Sequence, residues 1–377
     1  MRPWYAIDDA HRVHSPAILV YPDRIESNLR QLIDTVGDPS RLRPHVKPHK
    51  MPTIVQMQLA MGITRFKAST IAEAEMTAMA GGEDVLLAYQ PVGPNRQRLI
   101  RLIDRYRDTR FATIVDDASC IGELNAAAAA LDAPLRVYLD IDVGMHRTGI
   151  EVDGAPALFE HLIRCEHLQP VGLHAYEGHL DHRRSRELAQ AVREAFDPLW
   201  ELRRRLLNSG ATSCDIVAGG TPTLQALSHH ALGPPDTGPP LDLQIAAGTV
   251  VLWDTSQDDL SPPGGFTPAA AMLTRVISRP ARGLLCLDLG LNAISTDSGH
   301  PRLDFLDLPD AQIERHNEEH LVVRTRHADQ WPIGSVLYAL PRQICPTIAL
   351  HTEVGVVQDY RLVDRWMVLA RERRLSI

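Results

Sequence analysis

Leu135-Arg-Val-Tyr-Leu-Asp-Ile-Asp-Val-Gly-Met-His-Arg147 opens as a strand-type run of apolar and β-favouring residues and closes in a short polar turn. Seven comparable runs flank it, at Leu42–Lys47, Arg65–Ser69, Asp84–Gln90, Ala112–Asp116, Pro170–Tyr176, Cys214–Gly219 and Leu241–Ala247. Amphipathic or alanine-rich segments separate them, among them Pro52–Met61, Ile71–Ala80, Asn95–Arg107, Ala118–Leu131 and Arg183–Leu207. In Arg183–Leu207, residues Leu188, Val192, Ala195, Leu199, Leu202 and Leu206 recur at helical spacing. Eight strand–helix repeats within about 230 residues predict an α/β fold built on a (β/α)8 TIM-type barrel.

Beyond Thr249 the pattern changes. A Gly/Pro-rich link, Ser261-Pro-Pro-Gly-Gly265, is followed by short β-type runs at Ala271–Ile277, Gly283–Leu289, His320–Arg326, Val336–Leu340 and Gly355–Val357. Turn residues divide them and long helical periodicity is missing, so a second, mostly antiparallel β domain is expected. The run Ala17–Tyr21 is compatible with either domain and precedes a first helix at Arg24–Val36. The expected division is a barrel over 24–255 and a β domain formed by 1–23 and 256–377.

The 377 residues are 44% hydrophobic and 23% charged, which supplies a large core and excludes a disordered or fibrous chain. With 47 acidic against 39 basic residues the formal charge is −8, so no positive field is available for a nucleic acid or an anionic membrane surface. The five cysteines are scattered without a C-x-x-C pair, the N-terminal stretch lacks a signal-peptide pattern, and no apolar run is long enough to span a bilayer. The chain reads as cytoplasmic.

In a barrel of this kind functional groups collect where strands end, since the loops after the C-terminal strand ends share one concave face. That rule selects Arg43-Pro-His-Val-Lys-Pro-His-Lys50 after the first strand, Tyr89-Gln90 after the third, and Asp142 to Arg147 after the fifth. It adds His174-Ala-Tyr-Glu-Gly-His179 after the sixth, Ala218-Gly-Gly-Thr221 after the seventh and Ala246-Ala-Gly-Thr249 after the eighth. Gly219, Gly220, Thr221, Gly248 and Thr249 offer backbone N–H groups and hydroxyls where barrels commonly bind phosphate; an ordinary glycine turn is the competing reading. Lys47 falls at the barrel mouth in an alternating strand, with His45, His49 and Lys50 adding positive charge. Such surroundings lower an amine's pKa and favour the nucleophile of a Schiff base, although most lysines are merely solvated. A phosphate cradle and a lysine in one barrel suggest pyridoxal phosphate.

Arg43-Pro-His-Val-Lys-Pro-His-Lys50 resembles the cofactor-lysine segment of the D-threonine aldolase and D-serine dehydratase family. Gln90-Pro-Val-Gly-Pro94, Asp140-Ile-Asp-Val-Gly-Met-His-Arg147, Tyr176-Glu-Gly-His179, Gly219-Gly-Thr221, Asp297-Ser-Gly299 and Cys345-Pro-Thr347 follow in the family's order. The resemblance implies a fold-type III pyridoxal 5'-phosphate enzyme, alanine racemase-like in its barrel and commonly a homodimer. Lys47 would carry the cofactor, Arg147 would lie near its phenolic oxygen and Tyr176 near its ring nitrogen. Gln90 belongs to the same cofactor site, and Gly219, Gly220, Thr221, Gly248 and Thr249 would hold the phosphate. The family also places a histidine two residues before a Cys or Asp to bind a divalent metal, zinc or manganese. Gln343 stands at that position here and Cys345 is retained. An amide is a far poorer ligand than imidazole, and a lone thiolate seldom suffices, which calls the metal into question. His351 is a candidate substitute ligand or proton-transfer group, and His179, with His174 and His300, a candidate for acid–base work.

The implied substrate is a small D-configured amino acid. Retro-aldol cleavage needs a base at the β-hydroxyl, dehydration needs help for a departing hydroxide, and racemisation needs bases on both faces. Loss of a metal-binding histidine weakens dehydration most, which favours an aldolase-type lyase. A D-serine or D-3-hydroxyaspartate dehydratase, a racemase and a catalytically decayed cofactor binder remain the alternatives.

Overall fold

The computed structural model describes residues 2–180, 185–211, 213–230, 243–258, 265–297, 299 and 301–377. Seven parallel strands run in chain order around the barrel: Arg65–Ala68, Asp84–Leu87, Arg110–Val115, Leu135–Asp142, Leu168–Ala175, Asp215–Ala218 and Leu243–Ile245. They correspond to the second through eighth expected strands. The start expected for the last, at Leu241, lies outside the described residues.

The first expected strand closes the barrel without forming a regular ladder. Leu42 bridges Ile245 on one side and His45 bridges Lys67 on the other. The Arg43 N–H donates to the Ile245 carbonyl at 2.9 Å, the Val46 N–H to the Lys67 carbonyl at 2.9 Å, and the Lys67 N–H to the Pro44 carbonyl at 3.1 Å. Pro44 and Pro48 have no N–H to donate, so pairing at this seam stays intermittent. Gly248 belongs to the same seam: a Cβ there would stand 2.5 Å from the His45 carbonyl oxygen, so only glycine lets the two strand ends meet.

Charge fills the barrel interior below the mouth. Arg43 is fully buried; its Nη1 lies 2.7 Å from Asp84 Oδ1 and its Nε 2.6 Å from Gln244 Oε1. Arg136 Nη1 meets the other Asp84 oxygen at 2.8 Å. Leu86, Ala112, Ile114, Tyr138, Val171, Val217 and Ala246 pack as a separate apolar cluster inside the ring of strands.

The outer helices follow from their apolar stripes. Pro22–Val36 starts with proline in its first turn, buries Ile25, Leu29, Leu32 and Val36, and ends at Gly37, whose φ of 84° suits the left-handed cap. Ser185–Asn208 buries Leu188, Val192, Phe196, Leu199, Leu202 and Leu206, with Ala195 only half-buried.

Ala17–Val20 lies in the second sheet, antiparallel to Ala270–Ser278 and parallel to Glu353–Gln358. The other pairs in that sheet are antiparallel and include Leu284–Leu287, Leu303–Phe305, Gln312–His316, Leu321–Arg324, Val336–Pro341 and Arg361–Met367. The chain thus has a parallel α/β barrel and a mostly antiparallel β domain. The expected junction at 255/256 falls within the helical turn Thr255–Asp258, and most of the Gly/Pro-rich link lies outside the described residues. Among the described residues no helix is long and apolar enough to cross a membrane.

Candidate active site

Two cavities of about 630 Å³ each meet at the C-terminal mouth of the barrel. The first descends among the strand ends. The second runs toward the β domain, past Asp254, Asp297, Arg342, Gln343 and Cys345. Lys47, Tyr176, Gly220, Thr221 and Thr249 line both. The strand-end rule therefore brings together residues from distant segments, and Lys47 stands where the cavities join.

The charge around Lys47 differs from the sequence expectation. Lys50 turns away at φ 55° and pairs with Glu73. His49 is buried, its Nδ1 accepts the Met51 N–H at 3.2 Å, and burial holds its imidazole at about 3. His45 is likewise pushed well below its ordinary range, first by burial and then by Lys47 and Lys67. Neither imidazole carries the expected charge at neutral pH. The nearby cation is Lys67, buried at the barrel mouth. Burial lowers its pKa to about 8, with Lys47 and Arg147 acting in the same sense and Glu177 and Asp140 against it. The signal for Lys67 was present as a lysine inside the strand run Arg65-Phe-Lys-Ala68, but periodicity alone did not mark it as functional.

Tyr176 directly follows the sixth barrel strand and has two cations at its ring: the Arg147 guanidinium lies 4.9 Å from the centroid and Lys67 Nζ 5.5 Å. His174, two residues earlier, is buried and its Nδ1 lies 2.6 Å from Asp140 Oδ1. Its Nε2 is buried without a hydrogen-bond partner. Burial and Lys67 lower its pKa despite Asp140, which favours a neutral ring with the proton on Nδ1 and the lone pair on Nε2. Gln90 lines the first cavity, but its amide is committed to Asp116, donating to Oδ1 at 2.7 Å and accepting the Asp116 N–H at 2.9 Å.

The expected phosphate residues Gly219, Gly220, Thr221, Gly248 and Thr249 line the first cavity together. Gly219 and Gly220 donate their N–H groups to Glu177, at 3.3 Å to Oε2 and 3.1 Å to Oε1. These donors are occupied by a side chain of the protein itself. Thr221 remains: its hydroxyl is buried, lacks a partner and belongs to both cavity linings. Thr249 lies close by, its hydroxyl 3.3 Å from Cys345 Sγ.

Of the histidines proposed for proton transfer, His174 lines the first cavity, whereas His351 and His179 line neither of the two. His351 is half-buried and its Nε2 lies 2.8 Å from the Ala293 carbonyl oxygen. His179 is exposed on the turn Gly178–Leu180, with Nε2 against Gly144. His300 lies outside the described residues.

An amine open to two cavities, an unpartnered threonine hydroxyl and a tyrosine held between cations suit a phosphorylated aldehyde cofactor, and the cavity volume is ordinary for such a ligand. Among the described residues, the donors near Cys345 do not suit zinc or manganese. Among the described residues no three His, Cys, Asp or Glu side chains converge as a metal group. Burial, aided by Asp254, pushes the Cys345 thiol up against the opposing effect of Lys47 and so favours its protonated form. Gln343 occupies the N-cap position of the helix Ile344–Ile348 without a side-chain cap bond, and its backbone carbonyl accepts the Thr347 hydroxyl at 2.7 Å.

The barrel and the residues at its mouth define a chain of the alanine racemase family: residues 20–226 match the alanine racemase N-terminal domain, and the chain belongs to that family's D-threonine aldolase and D-serine dehydratase branch. Residues 269–357 match a serine dehydratase domain. The chain is similar to the D-threonine aldolase of Arthrobacter sp., at 29% identity over 97% of this chain and 94% of that one. It is 26% identical to the D-threo-3-hydroxyaspartate dehydratase of Delftia sp. strain HT23, over 93% of this chain and 98% of that one. The crystal structure of D-threonine aldolase from Filomicrobium marinum superposes with a TM-score of 0.86 at 26% identity, over 97% of this chain and 98% of that one.

Proposed function

We propose that this chain is a pyridoxal 5'-phosphate-dependent lyase acting on D-configured β-hydroxy amino acids by retro-aldol cleavage of the Cα–Cβ bond. The carrying observation is the position of Lys47 at the junction of two cavities, one for a cofactor and one for the amino acid. Similarity to an aldolase and a dehydratase along nearly the whole chain supports the substrate class.

When bound, the cofactor supplies an electron sink for the pair left on Cα. Lys47 holds it covalently. Thr221, with Gly248 and Thr249, receives the phosphate, while Gly219 and Gly220 shape the turn. Arg147 and Tyr176, which line the same cavity, would hold the ring, and Gln90 steadies that wall through Asp116. His174 is the group placed to hold or move a proton, because Asp140 fixes its tautomer and leaves Nε2 unpartnered. Carbon–carbon cleavage needs no Lewis acid at a leaving hydroxide, and the described donors around Cys345 suit none. Prolonged chelation therefore leaves turnover unchanged within about twofold, and elemental analysis finds well under one zinc or manganese per chain. A proportional loss of activity with metal, restored on its return, contradicts this.

Incubation with D-threonine, D-3-hydroxyaspartate, D-serine and D-alanine tests the reaction. Glycine and an aldehyde from D-threonine are expected. A keto acid as main product indicates the dehydratase, an enantiomer without cleavage the racemase, and no product the cofactor binder. Five free cysteines accord with a reducing cytoplasm, and the family resemblance with a homodimer, which light scattering measures directly.

A further inference from the structure

We infer that Glu177 is a positioning residue for the phosphate end of the cofactor site, acting through the turn 219–223; the inference rests on the cofactor reading above. Glu177 follows Tyr176 and is 1% exposed. It accepts three hydrogen bonds: the Gly219 N–H at 3.3 Å, the Gly220 N–H at 3.1 Å and the Thr223 hydroxyl. Gly219 has a φ of 98°, and a left-handed residue beside a second glycine turns successive N–H groups into an anion-binding concavity. Here the carboxylate of the chain itself fills that concavity. The turn is thereby fixed by a side chain that itself reaches the wall of the second cavity, and Thr221, in its middle, presents an unpartnered hydroxyl to both cavities. The Glu177 charge also supports that of buried Lys67 against burial. The carboxylate therefore acts on a bound phosphate by holding Thr221 in place.

Glu177→Gln keeps the size of the side chain but directs an amide N–H toward one of the two glycine N–H groups. Thr223→Val removes one of the three donors, together with the hydroxyl's own contacts to Gly220, and leaves the glycine contacts to Glu177. The test compares binding of pyridoxal 5'-phosphate and of pyridoxal, which lacks the phosphate, to cofactor-stripped full-length chains, with inorganic phosphate as competitor. The expected result for Glu177→Gln is about tenfold weaker binding of pyridoxal 5'-phosphate and similarly weaker competition by phosphate. Pyridoxal binding shifts by less than about twofold, which also reports an intact fold. Thr223→Val shows the same phosphate-selective loss at about threefold and carries the test if the first variant fails to fold. Equal weakening of both ligands, or no weakening of either, overturns the positioning role. Failure of the unaltered chain to bind either ligand overturns the cofactor reading instead.

Discussion

Lys47→Ala abolishes turnover, by about 10⁴-fold or more, and removes the visible absorption of a covalently held cofactor, while the protein still folds. The side chain is exposed at the junction of the cavities, and its one hydrogen bond to His45 is made by the backbone N–H. Truncation therefore strands no buried partner. Lys47→Arg does not rescue the activity, because a guanidinium stays protonated and cannot serve as the nucleophilic amine. Absorption spectra, progress curves with D-threonine and thermal melting of the same samples separate loss of chemistry from loss of fold.

The largest effect on stability is expected at the opposite end of the barrel. Asp84→Ala destabilises the protein by about 3–5 kcal/mol, the magnitude seen when one partner of a buried ion pair is removed. Arg43, with 0% exposure, would keep its charge without its carboxylate, and Arg136 would lose the same partner. The pH dependence follows from the direction of the Asp84 shift. Burial alone would raise its pKa, but Arg43 and Arg136 outweigh burial and hold it below the ordinary value. A carboxylate depressed in the folded state contributes stability above its unfolded pKa, about 3.9, and loses it as pH falls through the folded value. Denaturant unfolding of the two proteins should thus differ fully at pH 7, with the difference shrinking below about pH 4.

The barrel was legible because parallel strands buried on both faces are written as local apolar runs, as in Leu135–Asp142. The stretch Leu42–Lys47 was readable as the first member of the ring, but its broken pairing depends on how Pro44 meets Lys67 and Gly248 meets His45 across long sequence separations. In the β domain, Gln312–His316 and Arg361–Met367 were not marked as strands. Both are largely exposed and carry charged or polar residues, as suits strands at the two ends of a sheet, so neither shows an apolar signature.

At the site, the strand-end rule located Lys47, Arg147, Tyr176, Thr221 and Thr249 from sequence order alone. What it could not supply was the partner of each group. His45, His49 and Lys50 look alike as neighbours of Lys47 in sequence, yet two are held neutral and the third is paired with Glu73. Gly219 and Gly220 offer N–H groups to any anion, and only the fold reveals that Glu177 has taken them. His351, His179 and His174 were all named from sequence, and what sets His174 apart, its buried contact with Asp140, is visible only in the fold.

Reduction of the purified protein with borohydride, followed by peptide mass spectrometry, tests the central claim most directly. The barrel mouth contains two lysines, Lys47 at the junction of the cavities and Lys67 buried beside Tyr176. The account predicts loss of the visible band and one phosphopyridoxyl group fixed on Lys47. A protein with no visible band and no modified lysine, or one labelled on Lys67 instead, would contradict it.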